Sequence, residues 1–455
     1  MQNPTARLRL LPLALCSMTV AFGAHAASYT VPPGATKLQV TLNGAGGGAG
    51  GADLNGGGGV GANGVSLQVE FAVEPGQVLN HQAGTGGLSG YSWEEFSVTK
   101  KPPQDIPGGV GGTGGGNGGR GGAAPLANFN PGEGWGPSNP DPDSASGGGG
   151  GGGGASFASI TTASGTLWAR AAGGGGGGGG SWSRNASTIV IPAGSPVEAG
   201  DCNNAANGVD GEPGSGTRSS PNRGGGGGGG SGGGYLVPGV TVAPAAAGWD
   251  GAGADVDGGH QGAPGASCYS TGIGLLAFSA IGGGVGSSTP PSSSDGNSVP
   301  APAASGTDGS VSVVPVIEPI VPVSTAGDSS GKLDATLPPS IKPSDVVSYS
   351  YTCTPQLGSM ANPVETATLP LTVTGLTNDQ AYQCTVVAKL TNPNDQSTYT
   401  TPISVPTTFT PKAGATNPPG GSGTQAVPTL GEWAAIGLSS LMALTGLIRV
   451  RRRRI

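Results

Sequence analysis

Charge, aromatic side chains and histidine are all scarce in this chain. Of 455 residues, 10% are charged and 5% aromatic, and there are three histidines. An ordinary soluble domain carries about 25% charge. One large conventional core is therefore a poor fit, and so is a disordered tail kept soluble by its charge. Only His81 and His260 lie outside the leader, and no HxxxH, HExxH or paired-cysteine spacing is present, so no zinc site is expected. No GxSxG elbow marks a serine nucleophile. The chain reads as a non-enzyme with no catalytic residue, metal site or cofactor, and a secreted hydrolase is a remote alternative. Asp141 with Asp143, and Asp255 with Asp257, have oxygen ligands to offer calcium. Neither pair sits in a full ligand loop, and both read as solvated turn acids.

Glycine is what the chain has instead, at 94 residues, with unbroken tracts at 147–154, 173–180 and 224–230. No strict G-X-Y period runs through them, which excludes collagen. GxGxxG matches are numerous, but none opens a helix after a strand, so no dinucleotide site follows. The one NGGRGG, at 117–122, is no RNA-binding array. Removing the two arginines of the leader and the five of the tail leaves 12 of 19 basic residues. Removing Glu432 of the tail leaves 25 of 26 acidic ones, a net charge of −13. That balance repels phosphate backbones, and no nucleic-acid partner is expected.

Both ends read as address labels. Arg7 and Arg9 precede the apolar run LPLALCSMTVAFGA, and Ala24-His25-Ala26 supplies small residues before Ala27, so 1–26 is predicted as a secretory signal peptide. Cys16 lies in that run behind Leu15, where a lipoprotein signal needs a small residue. Cys202, Cys268, Cys353 and Cys384 remain in the exported chain. They imply two disulfides, with three connectivities open. At the other end, a Pro/Gly/Ser linker at 412–426 leads into sixteen uncharged residues, 433–448, predicted as a short membrane helix. Arg449, Arg451, Arg452, Arg453 and Arg454 follow as a basic stop that holds the terminus in the cytoplasm.

Between the ends, strand-like runs lead repeatedly into glycine. Leu38, Val40 and Leu42 alternate with polar residues just before GAGGGAGG, the pattern of a half-buried strand. GVSLQVEFAVEPGQVLNHQAGTGG, TLWARAA before Gly173 and GIGLLAFSAIGGG repeat the arrangement, and DGSVSVVPV closes the region with Val311 and Val313. This opening, the middle VEPGQVL and this closing resemble a family of bacterial glycine-rich domains. The likeness extends more loosely to the glycine-rich segment of anaplastic lymphoma kinase-type receptors and to phage tail-tip adhesins. The resemblance implies that 27–315 is a β-sandwich whose glycine tracts pack side by side as polyglycine II helices. A helix of that kind has three residues per turn and no internal hydrogen bonds, so its neighbours must supply them. Flexible linkers are the alternative; packing is expected because each tract abuts a strand. Residues 87–146 and 181–222 depart from the family pattern as irregular insertions, and the Ser/Pro-rich 287–308 reads as a loop.

A second module, 316–411, shows five strand-like runs: KLDATLPP, VVSYSYTCTP, ATLPLTVTGL, AYQCTVVAKL and TPISVPTTF. VTGLTNDQAYQCTVVAKL resembles the E-to-F corner of a fibronectin type III domain, with Tyr382 in the tyrosine-corner position. That resemblance puts Cys353 and Cys384 on neighbouring strands facing the core, implies their disulfide, and leaves Cys202 with Cys268. A spacer role is expected for this module.

The tail, 427–455, resembles the IPTL-type C-terminal sorting signals of Gram-negative bacteria. Val427, Pro428, Thr429, Leu430, Glu432 and Trp433 carry the motif, with Val427 for isoleucine and Ala434 for glycine as departures. The resemblance implies an exosortase-like membrane peptidase as partner and an inner-membrane intermediate, then release to the cell surface or medium, with extracellular polysaccharide a further partner. A permanent anchor is the alternative. The whole is expected to be mainly β: a glycine-rich sandwich, a fibronectin III-like sandwich and one membrane helix. Its expected role is that of an exported structural or adhesive protein. The competing role is a glycan- or receptor-binding adhesin that uses the loops at 92–97, Trp135 and Trp182.

Overall fold

The computed structural model describes residues 26–52, 57–92, 106–124, 147–180, 194–214, 229–238, 241, 259–279, 303–355 and 364–414. It is mainly β, with several sheets. Among the described residues the only helical element is one 3-10 turn, Pro343–Asp345, and no helix is long and apolar enough to cross a membrane. Residues 1–25 of the expected signal peptide, 1–26, and the expected membrane helix at 433–448 lie outside the described residues.

The first unit contains β1 (Ala27–Thr30), β2 (Ala35–Asn43), β3 (Ser66–Ala72), β4 (Val78–Gln82), β5 (Ser156–Thr162), β6 (Gly165–Ala171), β7 (Val197–Ala199), β8 (Ala205–Ala206), β9 (Gly234–Tyr235), β10 (Cys268–Ser270), β11 (Gly274–Ser279) and β12 (Ser310–Ile317). Strands β1-β4-β5-β6-β10-β7 form one sheet and β11-β3-β2-β12 another. The alternation seen in sequence decides which side chains meet between them. Leu38, Val40 and Leu42 on β2 and Leu67, Val69 and Phe71 on β3 are fully buried against Leu79, Ala158 and Ile160. Each such side chain stabilises the fold by about 1.5–3 kcal/mol. β12 runs to Ile317, so the last strand passes the boundary expected at 315.

Extended glycine-rich rods project from one end of this sandwich. Residues 44–52 continue β2, 84–92 continue β4 and 172–180 continue β6, while 57–65, 147–155, 259–266 and 303–309 lead into β3, β5, β10 and β12. The 147–155 rod shows how they are held. Gly147, Gly150 and Gly153 donate to the carbonyls of Gly180, Gly177 and Gly174. Gly148, Gly151 and Gly154 donate to Tyr91, Leu88 and Thr85, and Gly149, Gly152 and Ala155 to Gly122, Gly119 and Gly116. The rod's own carbonyls accept in the same rotation. Gly148, Gly151 and Gly154 are bonded by Gly51, Gly48 and Ala45; Gly149, Gly152 and Ala155 by Gly109, Gly112 and Gly115; Gly150 and Gly153 by Gly230 and Gly233. All these bonds measure 2.7–3.0 Å. Every third residue returns to the same neighbour, which is the bonding of a three-residue helix surrounded on all sides.

Such packing explains why the central tracts are pure glycine. A Cβ built on Gly147, Gly148, Gly150, Gly151, Gly152, Gly153 or Gly154 would fall on the carbonyl oxygen of Gly51, Pro107, Gly48, Val110, Ser231, Ala45 or Thr113 respectively. In each case a glycine Hα stands in that place and points at the oxygen, a weak Cα–H···O contact of about 0.5–1 kcal/mol. Outer rods differ. Along 84–92 and 106–113 one position in three is never glycine: Thr85, Leu88 and Tyr91, then Pro107, Val110 and Thr113. Leu88 and Val110 are 51% and 45% exposed, so that phase faces out of the bundle. The stretches expected as irregular insertions are corrected here. Within them 106–113, 117–124 and 207–214 are rods of the same bundle, and 303–309, read as the end of a loop, is another.

The second unit contains β13 (Val321–Gly327), β14 (Ser330–Thr336), β15 (Val346–Pro355), β16 (Val364–Thr366), β17 (Leu371–Thr374), β18 (Tyr382–Thr391), β19 (Thr398–Thr400) and β20 (Thr407–Phe409). Sheet β13-β14-β17 packs on sheet β16-β15-β18-β19, with β20 also paired to β18, around Leu333, Tyr351, Val386 and Leu390. Of the five runs read from sequence, TPISVPTTF is a strand only over its last three residues. Its two prolines lack N–H groups, and 401–406 instead runs beside β18 in extended form. There Thr401 and Ser404 use hydroxyls to accept from Ala388 and Val386 at 3.0 and 2.9 Å.

Gly151→Ala is expected to destabilise the protein by about 1–3 kcal/mol, as overpacking does. Gly200, with nothing within 4 Å of its Cβ position, should accept alanine within about 0.5 kcal/mol. Urea denaturation of the two variants checks the contrast.

Candidate functional site

Strand direction gives the molecule a polarity. β2 begins beside the second unit and ends in a rod, so rods and second unit occupy opposite ends of the first sandwich. The second unit ends at Gly414, whose N–H donates to Asp328 Oδ2 at 3.3 Å in the β13–β14 turn. That turn lies at the far end of β13 from the junction. Hydrogen bonds from Asn378, Gly414 and Ser329 hold the Asp328 carboxyl below its usual range. The described chain therefore ends on the side opposite the rods.

The junction is built from the loop after β1. Asn394 uses its side-chain amide as a short strand would use its backbone: Oδ1 accepts from Thr30 N at 2.8 Å and Nδ2 donates to Thr30 O at 2.9 Å. Tyr399 donates its hydroxyl to Pro33 O at 2.6 Å, and Gly34 N donates to Ser340 O at 2.7 Å. Gly34 has φ +81° and lies under Ile341 and Ile317, a position that favours glycine for both backbone and space. Burial, with Asp395 adding to it, pushes Tyr29 up to about 12.

Two disulfides are present. Cys353 and Cys384 face each other across β15 and β18, with Cα atoms 4.1 Å apart, and Cys202 joins Cys268 with 5.8 Å between Cα atoms. Beside the second pair, Arg170 of β6 is buried, donates from Nη2 to Asn203 O at 3.3 Å and lies 5.6 Å from the Phe157 ring centre. Burial lowers it to about 10. His81 is also buried, and desolvation lowers its pKa. Tyr382 accepts at its hydroxyl from Thr377 N at 3.0 Å, closing a corner five residues upstream. Among the described residues no three of His, Cys, Asp and Glu cluster as a metal site would require.

The expected sorting residues Val427, Pro428, Thr429, Leu430, Glu432 and Trp433, and the arginines from Arg449 to Arg454, lie outside the described residues. So do Trp135, Trp182 and 93–97. The rod ends that flank those loop sequences, Ser92, Ala124, Gly147 and Gly180, are all at the end of the bundle remote from the sandwich. Sequence reading missed the Asn394 clamp and the outer rods. The signal for the rods was present as glycine recurring every third residue.

Residues 425–454 match the IPTL-CTERM motif. That match supports a C-terminal sorting signal, which is processed by an exosortase and belongs to exported proteins. None of the curated proteins matches the chain.

Because the folded chain keeps the Tyr29 proton where the unfolded chain releases it, its contribution to stability is intact below about pH 10. It is lost as pH rises from about 10 to about 12. Tyr29→Phe should remove part of that slope in urea midpoints measured across the range. An unchanged slope would assign the whole dependence to other tyrosines.

Proposed function

We propose that this is a non-enzymatic structural or adhesive protein of the cell surface or extracellular matrix, delivered there by its C-terminal signal. Its body is a polyglycine II bundle on a β-sandwich, and its second module, 316–411, is a fibronectin III-like spacer. The match at 425–454 carries the sorting part of this reading. The tyrosine corner at Tyr382 and the cross-strand disulfide support the fibronectin-like assignment. The polarity of the molecule supports the delivery geometry, with Gly414, the last described residue before the tail sequence, at one end and the rod tips at the other. Extracellular polysaccharide is the partner such a matrix protein meets.

A second reading is favoured by one observation. The rods bring Ser92, Ala124, Gly147 and Gly180 together at the end of the bundle remote from the sandwich, where an adhesin presents its contact loops. The sequences joined to those ends include Trp135 and Trp182. A glycan array with the exported protein, and with both tryptophans changed to alanine, separates binder from scaffold.

Processing is the direct test of delivery. Mature protein is expected to lack the peptide from about Trp433 onward, and Pro428-Thr429→Ala-Ala should trap the full-length form in the inner membrane. Intact mass of surface-released protein that still carries Arg451, Arg452, Arg453 and Arg454 would make the tail a permanent anchor.

A further inference from the structure

A bundle of identical glycine rods has a register problem. Its bonds repeat every third residue, so a rod displaced by one triplet, about 9 Å at ~3.1 Å per residue, remakes all of them except at its ends. Strands weakly marked by side chains slip for the same reason. Glycine itself supplies nothing that prefers one alignment.

Two pairs of outer rods are bonded differently. Between 84–92 and 303–309, backbone bonds run one way: Gly306 N to Gly87 O and Gly309 N to Gly84 O. In the other direction the acceptors are side chains, with Gly86 N donating to Asp308 Oδ1 at 2.8 Å and Ser89 N to Ser305 Oγ at 3.3 Å. Between 117–124 and 207–214 the arrangement recurs. Gly208, Gly211 and Gly214 donate to Asn117, Arg120 and Ala123. In return Asn117 N donates to Asn207 Oδ1 at 3.0 Å and Arg120 N to Asp210 Oδ1 at 2.7 Å. In both pairs the accepting side chains are one triplet apart.

We propose that Ser305, Asp308, Asn207 and Asp210 are positioning residues that set the register of the outer rods. A one-triplet slip of 303–309 would bring Val311 or Pro302 opposite an N–H of the 84–92 rod, and neither has an acceptor to offer. A slip of 207–214 in one direction would bring Pro213 opposite Arg120 N. The other direction is opposed by the Cys202–Cys268 disulfide just upstream. The alignment imposed at the rim then passes inward through backbone bonds. The 303–309 rod also accepts from Gly46 and Ala49 through Thr307 and Ala304, and those residues lie in the rod that bonds 147–155.

The test is Ser305→Ala with Asp308→Ala in the full exported chain, followed by amide exchange and heteronuclear NMR. Register loss predicts exchange about tenfold faster or more at Gly46, Ala49, Gly306 and Gly309, whose own acceptors are untouched. It also predicts doubled resonances for 84–92 from the slipped population. Acceleration confined to Gly86 and Ser89 means that the side chains only cap two amides, and overturns the proposal. Asp308→Asn with Ser305→Thr keeps both acceptors and must behave as wild type, and a disturbed bundle in that variant also overturns it. Should the double alanine variant not fold, Ser305→Ala alone is read by the same criteria.

Discussion

The rest of this structure depends on one constraint: an extended glycine rod cannot satisfy its own backbone. Ordering a residue costs about 1–2 kcal/mol of backbone entropy, more for glycine, and a polyglycine helix returns no internal hydrogen bond and no buried side chain. Stability therefore has to come from neighbours, through N–H···O=C bonds of about 0.5–1.5 kcal/mol net each and the Cα–H···O contacts between them. A single rod gains too little. A rod surrounded on every side, as 147–155 is, has a partner for each N–H from Gly147 to Ala155. The bundle is thus cooperative by construction, and the sandwich beneath it supplies the anchored ends that hold the rods within bonding distance.

That architecture orders a long glycine-rich body that carries few charges and needs no large apolar core. The Asn394 and Tyr399 contacts tie the second unit to the segment between β1 and β2, so the junction is held by side chains as well as by the chain passing through it. The described chain ends at Gly414, on the side of the second unit opposite the rods, and the sorting-signal match follows in sequence at 425–454.

Much of the fold was legible in the sequence, for physical reasons that can be named. Alternation at Leu38, Val40 and Leu42 marked β2 because one face of a sheet is buried and the other is not. Glycine tracts adjoining strand ends marked the central rods, since only a residue without Cβ fits where seven carbonyl oxygens press on 147–154. The outer rods were harder to see. A perimeter rod needs glycine only where it touches a neighbour, so 106–113 and 207–214 carry valine, threonine, asparagine and aspartate and look irregular to a reader counting glycines. Glycine recurring every third residue, at 108 and 111 and at 208, 211 and 214, was the available signal. The Asn394 clamp left no pattern at all, because it joins residues 364 positions apart. At TPISVP strand propensity misled, because its prolines lack the donors a ladder needs, and the Thr401 and Ser404 hydroxyls take the place of ladder acceptors for the β18 amides. The tail was legible from its motif alone.

The account turns on whether the glycine rods exchange bonds in a rotation of three. Through-hydrogen-bond scalar couplings between amide nitrogen and carbonyl carbon measure that directly in isotope-labelled protein. Couplings from Gly147, Gly148 and Gly149 to Gly180, Tyr91 and Gly122, repeating at Gly150, Gly151 and Gly152 to Gly177, Leu88 and Gly119, are the predicted result. Absence of these couplings, with amide exchange across 147–154 as fast as in the 412–426 linker, would contradict it.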